Sequence, residues 1–155
     1  MAFSPFSFNP QSTGSSRQLI TNYYNNTGST IVQGTPLSVT GTANYVTPTD
    51  VTSQDSVQAF VGYAYTRISN ASLGAVISGG RLQNLQGFGF SIGDAIYMSV
   101  LGIYLQNVKP VDNNGNPVAP FVSGDMMVFA GVIVQNESNP SLQDLQILTQ
   151  VFGAL

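Results

Sequence analysis

Apolar positions in this chain come in short alternating or continuous runs, and turn-forming residues close almost every one. Such a rhythm predicts strands rather than helices, because strand side chains alternate between faces with a period of two. Leu19–Tyr24 opens the series and ends at the turn cluster Asn25-Asn26-Thr27-Gly28. Thr30–Val32, Pro36–Thr40 and Ala43–Thr47 follow, with Gln33-Gly34-Thr35 as a joint and a loop over 48–56. Val57–Ile68 is the strongest candidate strand. Phe60, Gly62, Ala64 and Thr66 fall on one face, and Val61, Tyr63, Tyr65 and Arg67 on the other. Apolar groups on both faces predict a central place in a sheet.

Leu73–Ile77 and Arg81–Leu85 read as two strands about a Gly79-Gly80 turn. Phe88–Ile92 leads through Gly93-Asp94 into Ala95–Ser99, and Ile103–Val108 alternates well. Asp112–Pro117 has the composition of a tight hairpin turn, and Met126–Val134 that of a buried strand. In Leu142–Leu155 the alternation of Leu145, Ile147, Thr149 and Val151 favours a strand over a helix. The expected fold is all-β, a β-sandwich or small open barrel of short strands over 19–155, with an extended N-terminal arm over 1–18. One internal echo stands out: Phe90-Ser91-Ile92-Gly93-Asp94 and Phe121-Val122-Ser123-Gly124-Asp125 each precede a strand. Two such matches do not define a repeat array, and recurrent strand-plus-turn grammar explains them as well as duplication does.

Pro5 and Pro10 break regular structure in the arm, yet Phe3, Phe6 and Phe8 are large apolar groups that a free tail would expose. Burying each is worth about 2–3 kcal/mol. Three readings remain open: the arm docks on a neighbouring subunit or particle, it folds back on its own domain, or it is simply disordered.

Composition removes most chemistry. Of 155 residues only four are Lys or Arg and seven Asp or Glu, and histidine, cysteine and tryptophan are absent. Without histidine the commonest general acid/base is missing. Without cysteine there is no thiolate nucleophile, disulfide or Fe–S ligand. The charged fraction of 7% lies far below the ~25% of ordinary soluble domains. With a net charge of −3, little repulsion opposes association, which suits a chain assembled against neighbours. Arg17, Arg67, Arg81 and Lys109 are scattered, so no basic patch for nucleic acid is expected. No apolar run reaches the ~18 residues of a membrane helix, and the first residues do not read as a signal peptide. Neither a nucleic-acid nor a membrane partner is expected, and synthesis in a cytoplasm is.

The remaining constellations are weak. Asp112-Asn113-Asn114-Gly115-Asn116 has calcium-like oxygen spacing, but Pro117 and Ser123 stand where a calcium loop needs glycine and a bidentate glutamate. A turn accounts for it better. Asp94 and Asp125 each follow a glycine ahead of a strand, where a carboxylate stabilises a turn by accepting backbone N–H groups. The alternative, a glycosidase pair, is poorly supported by so few acids and no tryptophan for sugar stacking. Tyr23, Tyr24, Tyr45, Tyr63, Tyr65, Tyr97 and Tyr104 are ordinary half-buried strand positions or a glycan- or protein-binding face. Sequons at Asn25, Asn70 and Asn136 are chance matches in an Asn/Ser/Thr-rich chain. No catalytic, cofactor or metal residue is assigned.

Five segments, in this order, resemble small virion proteins of tailed bacteriophages, especially capsid decoration (cement) proteins. They are Gln33-Gly34-Thr35-Pro36-Leu37, Phe60-Val61-Gly62-Tyr63-Ala64, Ala71–Val76 with Ser78–Leu82, Ile92-Gly93-Asp94-Ala95-Ile96-Tyr97, and Phe129-Ala130-Gly131-Val132-Ile133. Each motif is short and degenerate, and the order over Gln33–Leu155 carries the resemblance. It implies a non-enzymatic β-rich subunit of the virion, assembled in the host cytoplasm, that binds the major capsid protein or other virion proteins as a homo-oligomer, with a trimer favoured. Phe3, Phe6 and Phe8 would then be lattice or subunit contacts. The Phe-rich start departs from that family's short N-termini and leaves room for a head fibre, or for a tail or baseplate component that binds a host receptor or glycan.

Overall fold

The computed structural model describes residues 17–42, 44–100, 102 and 104–155. Phe3, Phe6 and Phe8, and with them most of the expected arm, lie outside the described residues. The elements are β1 (Leu19–Asn25), β2 (Pro36–Val39), β3 (Tyr45–Pro48), α1 (Gln54–Gln58), β4 (Phe60–Ala64), β5 (Ser72–Leu82), β6 (Ala95–Met98), β7 (Leu105–Gln106), β8 (Met126–Gln135) and β9 (Gln143–Ala154). The chain is all-β. Its first five strands run in the order β1-β3-β2-β4-β5, and β5 pairs back onto β1, so the ring closes into a barrel. The parallel β1–β3 contact, Tyr24 opposite Tyr45, is the closing seam, and the other pairs of the ring are antiparallel. From β5 the sheet continues outward as β9-β8-β6-β7.

β5 belongs to both parts. Its first half pairs with β1 and β4, and its last residues, Gly80–Leu82, pair with Ile147–Leu145 of β9. Gly79-Gly80 is therefore not the turn expected from the sequence but the point where one long strand leaves the barrel. Gly80 sits at φ +91°, and a Cβ there would overlap the Arg17 carbonyl oxygen, so glycine is required for that close passage.

Two cores follow from this layout. Every barrel strand contributes to the smaller: Tyr23 from β1, Leu37 and Val39 from β2, Val46 from β3, Val61 and Ala64 from β4 and Val76 from β5, with Ile31 and Ile68. The larger joins the barrel to the outer strands and holds Tyr63, Ile77, Leu82, Ile96, Val128, Ile133 and Leu145 among others. β4 lies centrally, but its faces differ from simple alternation. Leu37 is opposite Gly62 and Ser38 opposite Phe60, so Val61 is a bulge. The extra residue moves Phe60 to the side of Tyr63 and Tyr65, in the larger core, and Val61 to the side of Ala64, in the smaller. The Phe60 and Tyr63 rings meet edge to face at 5.2 Å.

Three other expectations change. Val57 begins no strand: Ser53 caps α1 by accepting the Ser56 N–H, and Val57 is buried on that helical turn. Thr30–Val32 forms only a bridge, Ile31 to Ile68. Phe88–Ile92 is a loop in which the rings of Phe88 and Phe90 stack at 5.2 Å.

One device recurs three times. Gly34, Gly93 and Gly124 take positive φ at the third position of a turn closed by Thr35 N–H to Val32, Asp94 N–H to Ser91 and Asp125 N–H to Val122. Each turn then clamps a partner strand with the same two bonds. Gly34 N–H reaches the Ala64 carbonyl and Ala64 N–H the Thr35 carbonyl, at 2.9 Å each. Gly93, Ile133 and Asp94 repeat the pattern, as do Gly124, Leu155 and Asp125. The registers match as well: Leu37 faces Gly62, Ile96 faces Gly131 and Met127 faces Gly153, with the bulge residue just before each glycine. The echo between 90–94 and 121–125 is thus part of a threefold structural repetition that includes 31–35.

Candidate functional site

The structure disperses the tyrosines. Tyr63 is fully buried, and its hydroxyl meets Thr149 Oγ1 at 2.8 Å; burial pushes its phenol above the ordinary value. Tyr24 packs on Tyr45 along the barrel seam, Tyr65 meets Gln18, and Tyr97 packs edge to face on Phe129 at 5.6 Å. No single face collects them.

Asp94 and Asp125 sit in the second and third turns. Asp94 Oδ2 accepts from the Ser91 N–H and from Asn107 Nδ2, each at 2.9 Å, and Asp125 Oδ2 accepts from the Val122 N–H at 2.9 Å. The backbone bond from Ser91, then Asn107, holds the Asp94 carboxyl below its ordinary value. Each carboxylate is engaged by its own turn. Asp112 is engaged likewise: its Oδ1 accepts the N–H groups of Asn114 and Asn116, and the Asn116 contact leads in lowering its pKa.

Sequence reasoning did not single out Asp144. It is buried beside Arg81, 3.8 Å away, and its Oδ1 accepts from Asn84 N–H and Asn136 Nδ2. This polar knot sits where β5 meets β9, and Arg81 also donates to Gln146 and to the Gln135 carbonyl. A buried ion pair held by neutral donors suits a structural joint. Asn25 is buried too, its amide donating to the carbonyls of Ser29 and Ile68.

An open cleft of about 880 Å³ lies among Val32, Gln33, Gln86, Phe88, Tyr104 and Leu105. Among the described residues its only titratable lining group is tyrosine, and the Gln33 amide already donates to the carbonyls of Tyr65 and Gln83. Among the described residues that line it, none pairs an acid with a base.

A different surface has the stronger character. Beyond Ile147, β9 has lost β5 as a neighbour and, among the described residues, pairs only with β8. Leu148, Val151 and Phe152 there are 53%, 50% and 56% exposed, though they lie on a strand and not in a loop. Beside them a groove of about 400 Å³ runs among Tyr97, Lys109, Val111, Met127, Phe129, Gln150 and Phe152. Between Gln146 and Leu155 there is no charge and no proline, the usual guards of a strand edge. A free apolar edge beside an aromatic groove has the composition that protein-binding surfaces share. Its sequence signal was the uncharged run itself.

No protein-family model, characterised protein or solved structure matches this chain.

Proposed function

We propose that this protein is a non-enzymatic structural subunit of a bacteriophage particle, a capsid decoration or cement subunit that binds and stabilises the head lattice. The observation that carries the assembly half of this reading is the unguarded apolar edge of β9 with its aromatic groove. The virion half rests on the ordered resemblance from Gln33 to Leu155. A surface nearly free of charge supports both, because lattice contacts then form without large desolvation of ions. Many weak contacts, each repeated over a shell, stabilise it by mass action and avidity.

Cryo-electron microscopy of purified particles tests the reading. Density for this fold on the head lattice is the expected result. Density at the tail or baseplate would transfer the assignment to host attachment, and absence from particles would overturn a virion role.

A further inference from the structure

The threefold device exposes a missing part. At Gly62 the outer neighbour is β5: a Cβ on that glycine would lie 2.6 Å from the Ile77 carbonyl oxygen. At Gly131 it is β9, and a Cβ would overlap the Gln146 carbonyl oxygen. In both places the bulged strand is covered by an antiparallel strand of this same chain, Tyr63 facing Ile77 and Val132 facing Gln146. Gly153 holds the equivalent position in the third unit, at φ +111°, and nothing lies within 4 Å of its would-be Cβ. The glycine is built for a close neighbour that none of the described residues supplies.

We propose that the free stretch Leu148–Ala154 of β9 pairs with the same stretch of a second copy. Deepening the assembly reading above, this names a partner, but it needs no virion to be true. Three observations choose a second copy. What covers this position in the other two units is a strand of this chain. The free stretch carries no charge, so two copies meet without repulsion, and the whole chain has a net charge of only −3. Finally, an antiparallel edge is self-complementary, so one two-fold axis satisfies both strands at once. The free stretch is centred on Val151. The axis passes there, placing Leu148 of one copy across from Ala154 of the other and Gln150 across from Phe152. Leu148, Val151 and Phe152 lose their exposure, and the sheet continues across the axis as β6-β8-β9 and its symmetry mate. This contact makes dimers and not the trimers that the family resemblance implies.

Because the chain has no cysteine, Val151→Cys supplies a single thiol that reports the axis. Opposed residues in an antiparallel pair lie within disulfide reach. Under mild oxidation the full-length V151C protein should cross-link to a covalent dimer at least tenfold faster than Ser138→Cys, which lies in a loop away from the edge. By analytical ultracentrifugation the wild type should be a dimer at tens of micromolar. Val151→Lys should be a monomer with an unchanged far-ultraviolet CD spectrum. Full-length Phe6→Ser/Phe8→Ser should remain a dimer. A monomeric or trimeric wild type, equal cross-linking of V151C and S138C, or a dimer lost only in the phenylalanine variant would overturn the proposal. If V151K does not fold, the cross-linking rates decide. All of these readouts use isolated protein, so their failure is distinguishable from absence on particles.

Discussion

Gly62 in the barrel and Gly153 at the end of the outer sheet occupy the same place in the same device, yet their surroundings are opposite. Around Gly62, and more tightly around Gly131, a neighbouring strand brings a carbonyl oxygen to where a side chain would begin. Around Gly153 that space is open. The local sequence is alike, Phe-Val-Gly-Tyr-Ala, Phe-Ala-Gly-Val-Ile and Val-Phe-Gly-Ala-Leu, so the difference lies in which strand continues far enough to provide cover. A backbone conformation is thus specified locally, while the cost of disturbing it is set by tertiary neighbours.

Alanine at the three glycines ranks those neighbours. Gly131→Ala meets both an unfavourable φ of +156° and a backbone oxygen on β9 that has no flexible side chain to yield. It should lose about 4 kcal/mol in urea unfolding, or fail to fold. Gly62→Ala, with a slightly wider gap to Ile77, should lose about 3 kcal/mol. Gly153→Ala carries the backbone term alone and should lose about 1 kcal/mol in a monomer. Equal losses at all three positions in protein dilute enough to be monomeric would show that the covering strand contributes nothing, which would remove the reason for seeking a missing cover at Gly153.

The barrel and the outer sheet are also joined side chain to side chain, and this link is weaker. Tyr63→Phe removes the hydroxyl contact to Thr149 and keeps the packed ring, so about 1 kcal/mol should be lost at neutral pH. Its pH dependence has a definite sign. Burial raises the folded-state pKa above the ordinary value of 10, so the unfolded chain releases the Tyr63 proton first. Its contribution is complete below about pH 10 and fades as pH rises above that. Urea midpoints of wild type and Tyr63→Phe should therefore converge in strong alkali. Parallel midpoints up to pH 11 would mean that water reaches the phenol.

What could be read in the sequence follows the same division between local and tertiary causes. The turns at Gly93-Asp94 and Gly124-Asp125 were legible because positive φ asks for glycine and the turn carboxylate for Asp, both written in residue type. β8 and β9 were legible from their apolar runs. The closure of the barrel was not, since the parallel meeting of Tyr24 with Tyr45 leaves no mark on either segment. Gly79-Gly80 illustrates the limit: the same pair serves a hairpin turn or a strand passing close to another backbone, and only the Arg17 carbonyl beside Gly80 distinguishes them. Val57 illustrates it again, since a β-branched residue beside a strand sits on the helical turn that Ser53 caps. As for the candidate surface, the run from Gln146 to Leu155 displays its lack of charge. That its far half is uncovered depends on β5 joining β9 only from Gly80 onward, its earlier residues being paired with β1 and β4 in the barrel.

The smallest expected effect compares the turns themselves. In the first unit the residue after glycine is Thr35, whose neutral hydroxyl donates to the Val32 carbonyl at 2.8 Å. In the second it is Asp94, whose ionised carboxylate accepts from Ser91 and Asn107. Those bonds hold the folded-state pKa below the ordinary 3.8, so the second turn is fully supported above that value and loses support as pH falls through the lowered one. The Ser91 amide proton resonance should shift with a midpoint below 3.8 in wild type and stay flat in Asp94→Asn. The Gly34 amide should not respond, because no carboxylate serves the first turn. An unshifted Ser91 midpoint would show a carboxylate facing water and not the turn. A Gly34 amide moving in step with Ser91 would show that acid loosens the molecule as a whole, and that the three units do not respond separately.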